Sequence, residues 1–111
     1  MIVAAIGGRN VNDYELLSKT LNKYVISELV SGGCSGVDKM AERYAKENDI
    51  PIIVFKADWK KYGRGAGPIR NTKIIQYCDF VVAIWDGKSK GTADSINKAK
   101  RLKLEIDIVD V

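Results

Sequence analysis

Three apolar runs in this chain each pass directly into a glycine-bearing turn and then into a stretch of helical period, a repeated unit that leaves the fold little freedom. Ile2–Ile6 runs into Gly7-Gly8-Arg9, the run from Tyr24 to Val30 into Ser31-Gly32-Gly33-Cys34-Ser35-Gly36, and the run from Asp79 to Trp85 into Asp86-Gly87-Lys88-Ser89-Lys90-Gly91-Thr92. Continuous rather than alternating apolar residues suit strands buried on both faces, as in a parallel sheet. Asn12 followed by Glu15 fits a helix start and predicts a helix over 12–23, with Leu16, Leu17, Leu21 and Tyr24 on one face. Val37, Met40, Ala41, Tyr44 and Ala45 recur at helical spacing, as do Ala93, Ile96, Ala99 and Leu102.

Pro51 opens a further strand, Ile52–Phe55, a position where proline is tolerated. Pro68 opens a short helix with Arg70 and Asn71 in its first turn. Leu104, Ile106 and Ile108 alternate with Glu105 and Asp107, the pattern of a half-exposed edge strand. Five strands alternating with four helices predict an α/β fold: a Rossmann-like three-layer α/β/α sandwich on a five-stranded parallel sheet of order 3-2-1-4-5. Its 111 residues suit one domain over 1–111. Ligands of such sheets bind beyond the carboxyl ends of the strands, where the winding reverses, here between the first and fourth strands. The glycine turns all fall at that end.

The chain contains no histidine, so Ser-His-Asp and Cys-His nucleophiles and imidazole acid–base chemistry are excluded. Cys34 and Cys78 form no metal-ligand cluster, so reduced thiols, no disulfide framework, no metal and no cofactor are expected. No apolar run reaches the ~18 residues of a membrane span, and Met1–Ile6 lacks the features of a signal peptide, so cytoplasm and no membrane partner are the expectation. The net charge of +4 would suit a phosphorylated partner, but Lys and Glu are scattered through the helices as on an ordinary solvated surface. No aromatic-interleaved basic stripe stands out, and nucleic acid is therefore not expected as a partner.

The segment Ser31-Gly32-Gly33-Cys34-Ser35-Gly36-Val37-Asp38 joins a strand to a helix start, where unpaired amides and the helix dipole favour an anion. It reads equally as a tight turn capped by Ser35 or Asp38, and its spacing matches neither a Walker A loop nor G-x-G-x-x-G. Asp86, Gly87, Gly91 and Thr92 repeat the chemistry after the fourth strand, and Gly8 and Arg9 lie beside them. Arg9 either pairs with phosphate or is a solvated loop arginine. Trp59 and Tyr62, in a long polar loop with Asp58, either stack on a base or anchor the loop. Cys34 has no general base in view.

Ser31-Gly-Gly-Cys-Ser-Gly-Val-Asp38, Ala57-Asp58-Trp59, Tyr62-Gly63, Ala66-Gly-Pro-Ile-Arg-Asn71 and Gly91-Thr92, in that order, resemble the YspA-like branch of the SLOG superfamily over nearly the whole chain. That superfamily includes DNA-processing protein A, the Lonely Guy phosphoribohydrolases and sensor domains for NAD-derived signals. The resemblance implies a Rossmann-like fold, homo-oligomers (dimers or larger), and a ligand phosphate bracketed by Ser31–Asp38 and Gly91-Thr92 with Arg70 and Asn71 completing the site. The phosphoribohydrolase pattern Pro-Gly-Gly-x-Gly-Thr-x-x-Glu has Ser95 in place of its glutamate here, and Asn71 in place of a basic residue. Loss of the carboxylate that stabilises a sugar cation disfavours turnover.

The leading expectation is therefore a module that senses or sequesters a phosphate-bearing, nucleotide-derived small molecule. An N-glycosidase using Asp94 or Asp38 is the first alternative, and single-stranded DNA binding the second.

Overall fold

The computed structural model describes all 111 residues. Five parallel strands, β1 (Ile2–Gly7), β2 (Glu28–Ser31), β3 (Ile52–Val54), β4 (Phe80–Trp85) and β5 (Glu105–Asp110), form one sheet of order β3-β2-β1-β4-β5, as expected. Ala4 pairs with Val30 on one side and Val81 on the other, so the middle of β1 is fully enclosed. The helices are α1 (Tyr14–Leu21), α2 (Val37–Glu47), α3 (Trp59–Tyr62), α4 (Ala66–Tyr77) and α5 (Lys90–Arg101), with a single 3-10 turn at Gly63–Gly65 between α3 and α4.

Alternate residues of the central strands feed two separate cores. Val3 and Ala5 of β1 pack with Leu17 and Leu21 of α1 and with Val37, Ala41 and Tyr44 of α2. Ala4 and Ile6 face the other way, onto Ile74 and Ile75 of α4 and Ile96 and Ala99 of α5. Period-two strands between two helix layers thus make the three-layer sandwich. The chain winds from β1 through α1 and α2 towards β3, then returns to β4 and α5 on the opposite face. A crevice consequently opens between the carboxyl ends of β1 and β4. No helix is long and apolar enough to cross a membrane.

Several boundaries differ from expectation. The first helix is shorter than 12–23, because its cap is Asp13, whose carboxylate accepts from the Leu16 amide at 3.0 Å, and not Asn12. The second strand starts at Glu28 and not Tyr24, since its partner β1 begins at Ile2, opposite Glu28; before it only Val25 and Ser27 bond to the start of the chain, at Met1. Tyr24 packs its ring on Phe80 instead, while Val25 is largely exposed. The helix expected at Pro68 begins at Ala66 and is three turns long, which places Pro68 inside the first turn where its missing N–H costs nothing. The loop before it contains α3, capped by Asp58, whose carboxylate accepts from the Lys61 amide at 3.2 Å.

Candidate functional site

A cleft of about 810 Å³ lies at the carboxyl ends of β1, β2 and β4. Its walls come from four places: the β1–α1 loop (Gly8 to Asp13), the β2–α2 loop with the start of α2 (Gly32, Cys34 and Asp38), the second turn of α4 (Arg70, Asn71), which falls there and not in the first turn because α4 begins at Ala66, and the β4–α5 turn with the start of α5 (Asp86, Lys88, Ser89, Gly91, Thr92). The glycine turns therefore converge on a single cavity. Its volume falls within the ~300–1,000 Å³ of ordinary ligand clefts.

Arg70 and Asn71 tie the walls together. The buried Arg70 donates from Nη1 to the Gly32 carbonyl at 2.7 Å and from Nε to Asn71 Oδ1 at 2.9 Å. Asn71 Nδ2 donates in turn to the Gly91 carbonyl at 3.3 Å and to Asp94 Oδ2 at 3.2 Å. Arg70 Nη2 has no protein acceptor, so the guanidinium keeps one donor nitrogen for a ligand. Gly32 is required by this arrangement: a β-carbon there would stand 2.7 Å from Arg70 Nη1 and 3.0 Å from Asp38 Oδ2.

The helix starts are only partly free to meet an anion. At α2 the Val37 amide is turned to the Gly8 carbonyl at 3.3 Å, and Asp38 Oδ2 accepts from the Cys34 amide at 3.0 Å. At α5 the cap is Ser89, whose Oγ accepts from the Thr92 amide at 3.4 Å. Asp86 accepts from the amides of Lys88 and Ser89 at 2.8 and 2.9 Å. Burial pushes the Asp38 carboxyl above the usual carboxylate range, with the Cys34 amide and the Arg70 charge opposing that shift. Asp86 is held below its usual range by the Lys88 and Ser89 amides. Arg9, Arg70 and Lys88 face Asp13, Asp38 and Asp86, so the charges lining the cleft balance.

Of the residues singled out in the sequence, Gly8, Arg9, Gly32, Asp38, Arg70, Asn71, Asp86, Gly91 and Thr92 line the cleft. Ser31, Gly33, Ser35, Gly36, Asp58, Trp59, Gly87 and Asp94 do not. Ser31 is fully buried with an unpaired Oγ. Gly36 serves the backbone: at φ +72°, a β-carbon would come within 2.3 Å of the Gly8 carbonyl oxygen. Asp94 is held outside the cleft by Lys98 Nζ at 2.8 Å and by Asn71, while Ser95 lines the wall beside it. Asn10, Asn12 and Asp13 also line the cleft and were not anticipated, because nothing in a short polar stretch distinguishes a wall from a connection.

The loop from Lys56 to Arg64 was likewise undervalued. In sequence Lys56, Lys60, Lys61 and Arg64 flank Trp59, 53% exposed, and Tyr62, 38% exposed, so exposed basic residues interleave with aromatics here, contrary to the expectation of no such stripe.

Sheet order, crossovers and a polar cleft at the switch point define a Rossmann-like domain. More narrowly, the chain belongs to the YspA, cpYpsA-related SLOG family, whose sequence profile matches residues 1–62. It is 27% identical to the Gene 61 protein of Mycobacterium phage D29 over 84 residues, 70% of this chain and 67% of that protein. Among solved structures it resembles DNA processing protein A (DprA) of Streptococcus pneumoniae at TM-score 0.79 and 18% identity, covering 96% of this chain and 49% of that one. It resembles DprA of Helicobacter pylori at TM-score 0.75 and 22% identity, covering 97% of this chain and 64% of that one. The chain thus spans about half of the first and just under two thirds of the second.

The Helicobacter protein is described by its single-stranded DNA binding mode. That finding overturns the expectation that nucleic acid is not a partner, which rested on scattered charge and on the missing stripe.

Proposed function

We propose that the cleft binds a nucleotide unit of single-stranded DNA through its phosphate. The observation that carries the reading is the convergence of three strand-to-helix turns and the free Arg70 Nη2 on one cavity. Arg9 at the rim supplies a second planar donor group, and the Asn10, Asn12 and Asp13 side chains offer donors and acceptors to a sugar or base edge. Likeness of fold to a single-stranded DNA binder and the basic surface beside the cleft support the strand over a free nucleotide.

The test is fluorescence anisotropy with a labelled oligothymidylate, beside calorimetry with thymidine monophosphate. Binding is expected to weaken steeply with added salt, as counterion release requires. Arg9→Ala should weaken it roughly three- to tenfold without loss of fold. Absence of binding to either probe would dispose of the reading.

A second reading, a free nucleotide-derived signal such as ADP-ribose or a cyclic nucleotide, is favoured by the charge balance of the cleft walls, since paired carboxylates suit hydroxyls better than a polyanion. Tighter binding of ADP-ribose than of the oligonucleotide would select it.

A further inference from the structure

We propose that the exposed surface of the Lys56–Arg64 segment is a stacking and charge platform that carries the DNA strand on from the cleft, with a base laid on the Trp59 ring. This rests on the single-stranded DNA reading of the cleft and adds a second contact to it. The segment is short, yet four basic residues against one acidic residue, Asp58, give it three of the chain's four net positive charges. None of the four takes part in the chain's five ion pairs. A charge surplus left unneutralised, beside balanced cleft walls, is complementary to a phosphate backbone and to little else of that shape.

Trp59 is 53% exposed, although burying an indole face would stabilise the fold. Its ring is nevertheless positioned. A β-carbon built on Gly67, in the first turn of α4, would lie 3.5 Å from Trp59 Cη2, so one edge of the indole rests on the turn that precedes Arg70 in the same helix. On the other side, the Lys56 stem lies against Gly33, next in sequence to the cleft-lining Gly32, where a β-carbon would be 3.4 Å from Lys56 Cγ. The platform therefore adjoins the cleft through both α4 and the β2–α2 loop. Asp58 fixes α3 by capping it, which orients Trp59 before any ligand arrives. A planar ring held at one edge and open elsewhere, with Lys60 and Lys61 following it, is the arrangement in which sequence-tolerant stacking works.

The experiment measures thymidine monophosphate and a longer oligothymidylate on the wild-type chain, on Trp59→Ala and on Lys60→Gln/Lys61→Gln. Trp59→Ala is expected to weaken the oligonucleotide roughly tenfold and to leave the monophosphate unchanged. The double lysine variant is expected to flatten the salt dependence of oligonucleotide binding by roughly one to two phosphates' worth. Should Trp59→Ala prove poorly folded, Trp59→Phe, which keeps a ring, is expected to retain most of the affinity, and the lysine variant reads the platform without touching the indole.

If the wild-type chain binds both probes and neither the Trp59 nor the lysine variants alter oligonucleotide affinity, the platform is refuted while the cleft reading stands. If it binds neither, the cleft reading fails and the platform falls with it. An equal loss for both probes in Trp59→Ala also overturns the proposal, since the ring then belongs to the cleft itself. So does a change in sedimentation of the free protein with unaltered affinity, which assigns the ring to contact between copies.

Discussion

The cleft and the neighbouring Lys56–Arg64 segment handle polar groups in opposite ways. In the cleft four of the six charged side chains have internal partners: Arg70 has Gly32 and Asn71, Asp86 two amides, Asp38 the Cys34 amide and Asp13 the Leu16 amide. In the segment the lysines and arginine stand in solvent without ion-pair partners. The first arrangement fixes geometry at the cost of net charge, and the second keeps its net charge in solvent. Recognition that needs both must draw on both regions, because one local environment cannot supply them together.

Glycine substitutions separate the two regions most sharply. Gly36→Ala forces a side chain into a backbone conformation reserved for glycine and onto the Gly8 and Arg9 carbonyls, so a loss of at least ~3 kcal/mol is expected in denaturant unfolding. Gly63→Ala has nearly the same backbone conformation (φ +56°, ψ −130°) but meets nothing within 4 Å, so it should bear only the backbone strain, ~1–3 kcal/mol by the same measurement, without the added clash. Equal effects would mean that the cleft loops are no more constrained than the segment.

Next in size is Arg70→Lys, which keeps the charge but cannot bridge Gly32 and Asn71 while presenting a free nitrogen. A loss of ~1.5–3 kcal/mol in oligonucleotide affinity is expected from titration, with the salt slope unchanged. A change of slope alone would show that Arg70 acts as a point charge, like the lysines of the segment.

The pH dependence is smaller. Burial raises the Asp38 carboxyl, so the folded state favours its neutral form; that stabilisation is present at low pH and lost as pH rises through the folded value. Below that value the cleft carries one negative charge fewer, while Asp86, shifted the other way, remains ionised. Oligonucleotide affinity should therefore rise a few-fold (roughly two- to fivefold) as pH falls through the Asp38 transition, and Asp38→Asn should flatten that rise. A phosphodiester probe has no titration of its own in this range, so an unchanged profile in Asp38→Asn would remove Asp38 from the cause.

The smallest effect belongs to Gly91→Ala. This helical glycine of α5 meets nothing within 4 Å, and the substitution should stabilise the chain by ~0.5–1 kcal/mol on thermal unfolding. Its effect on ligand affinity tells whether the bare backbone there approaches a phosphate.

The sheet order was legible because uninterrupted apolar runs such as Ile2–Ile6 and Phe80–Trp85 can be buried only between two helix layers. Much of the cleft was legible as well, since Gly32 and Gly91 mark the turns that form its walls. Gly36 was misleading: its glycine answers the Gly8 and Arg9 carbonyls and not a ligand, and only coordinates reveal that crowding. Asn10, Asn12 and Asp13 were invisible for the opposite reason, because their position depends on how α1 is set on the sheet. Trp59 and its lysines were read as loop residues because a helix of four residues carries no periodicity.

The hydrogen-bonded line from Gly32 through Arg70 and Asn71 to Gly91 joins the β2–α2 loop and the start of α5, 59 positions apart in sequence, to adjacent residues of a single helical turn. The amides at the two ends of that line are expected to exchange with deuterium in step. A molecule that seats against one side would quieten the far side without touching it.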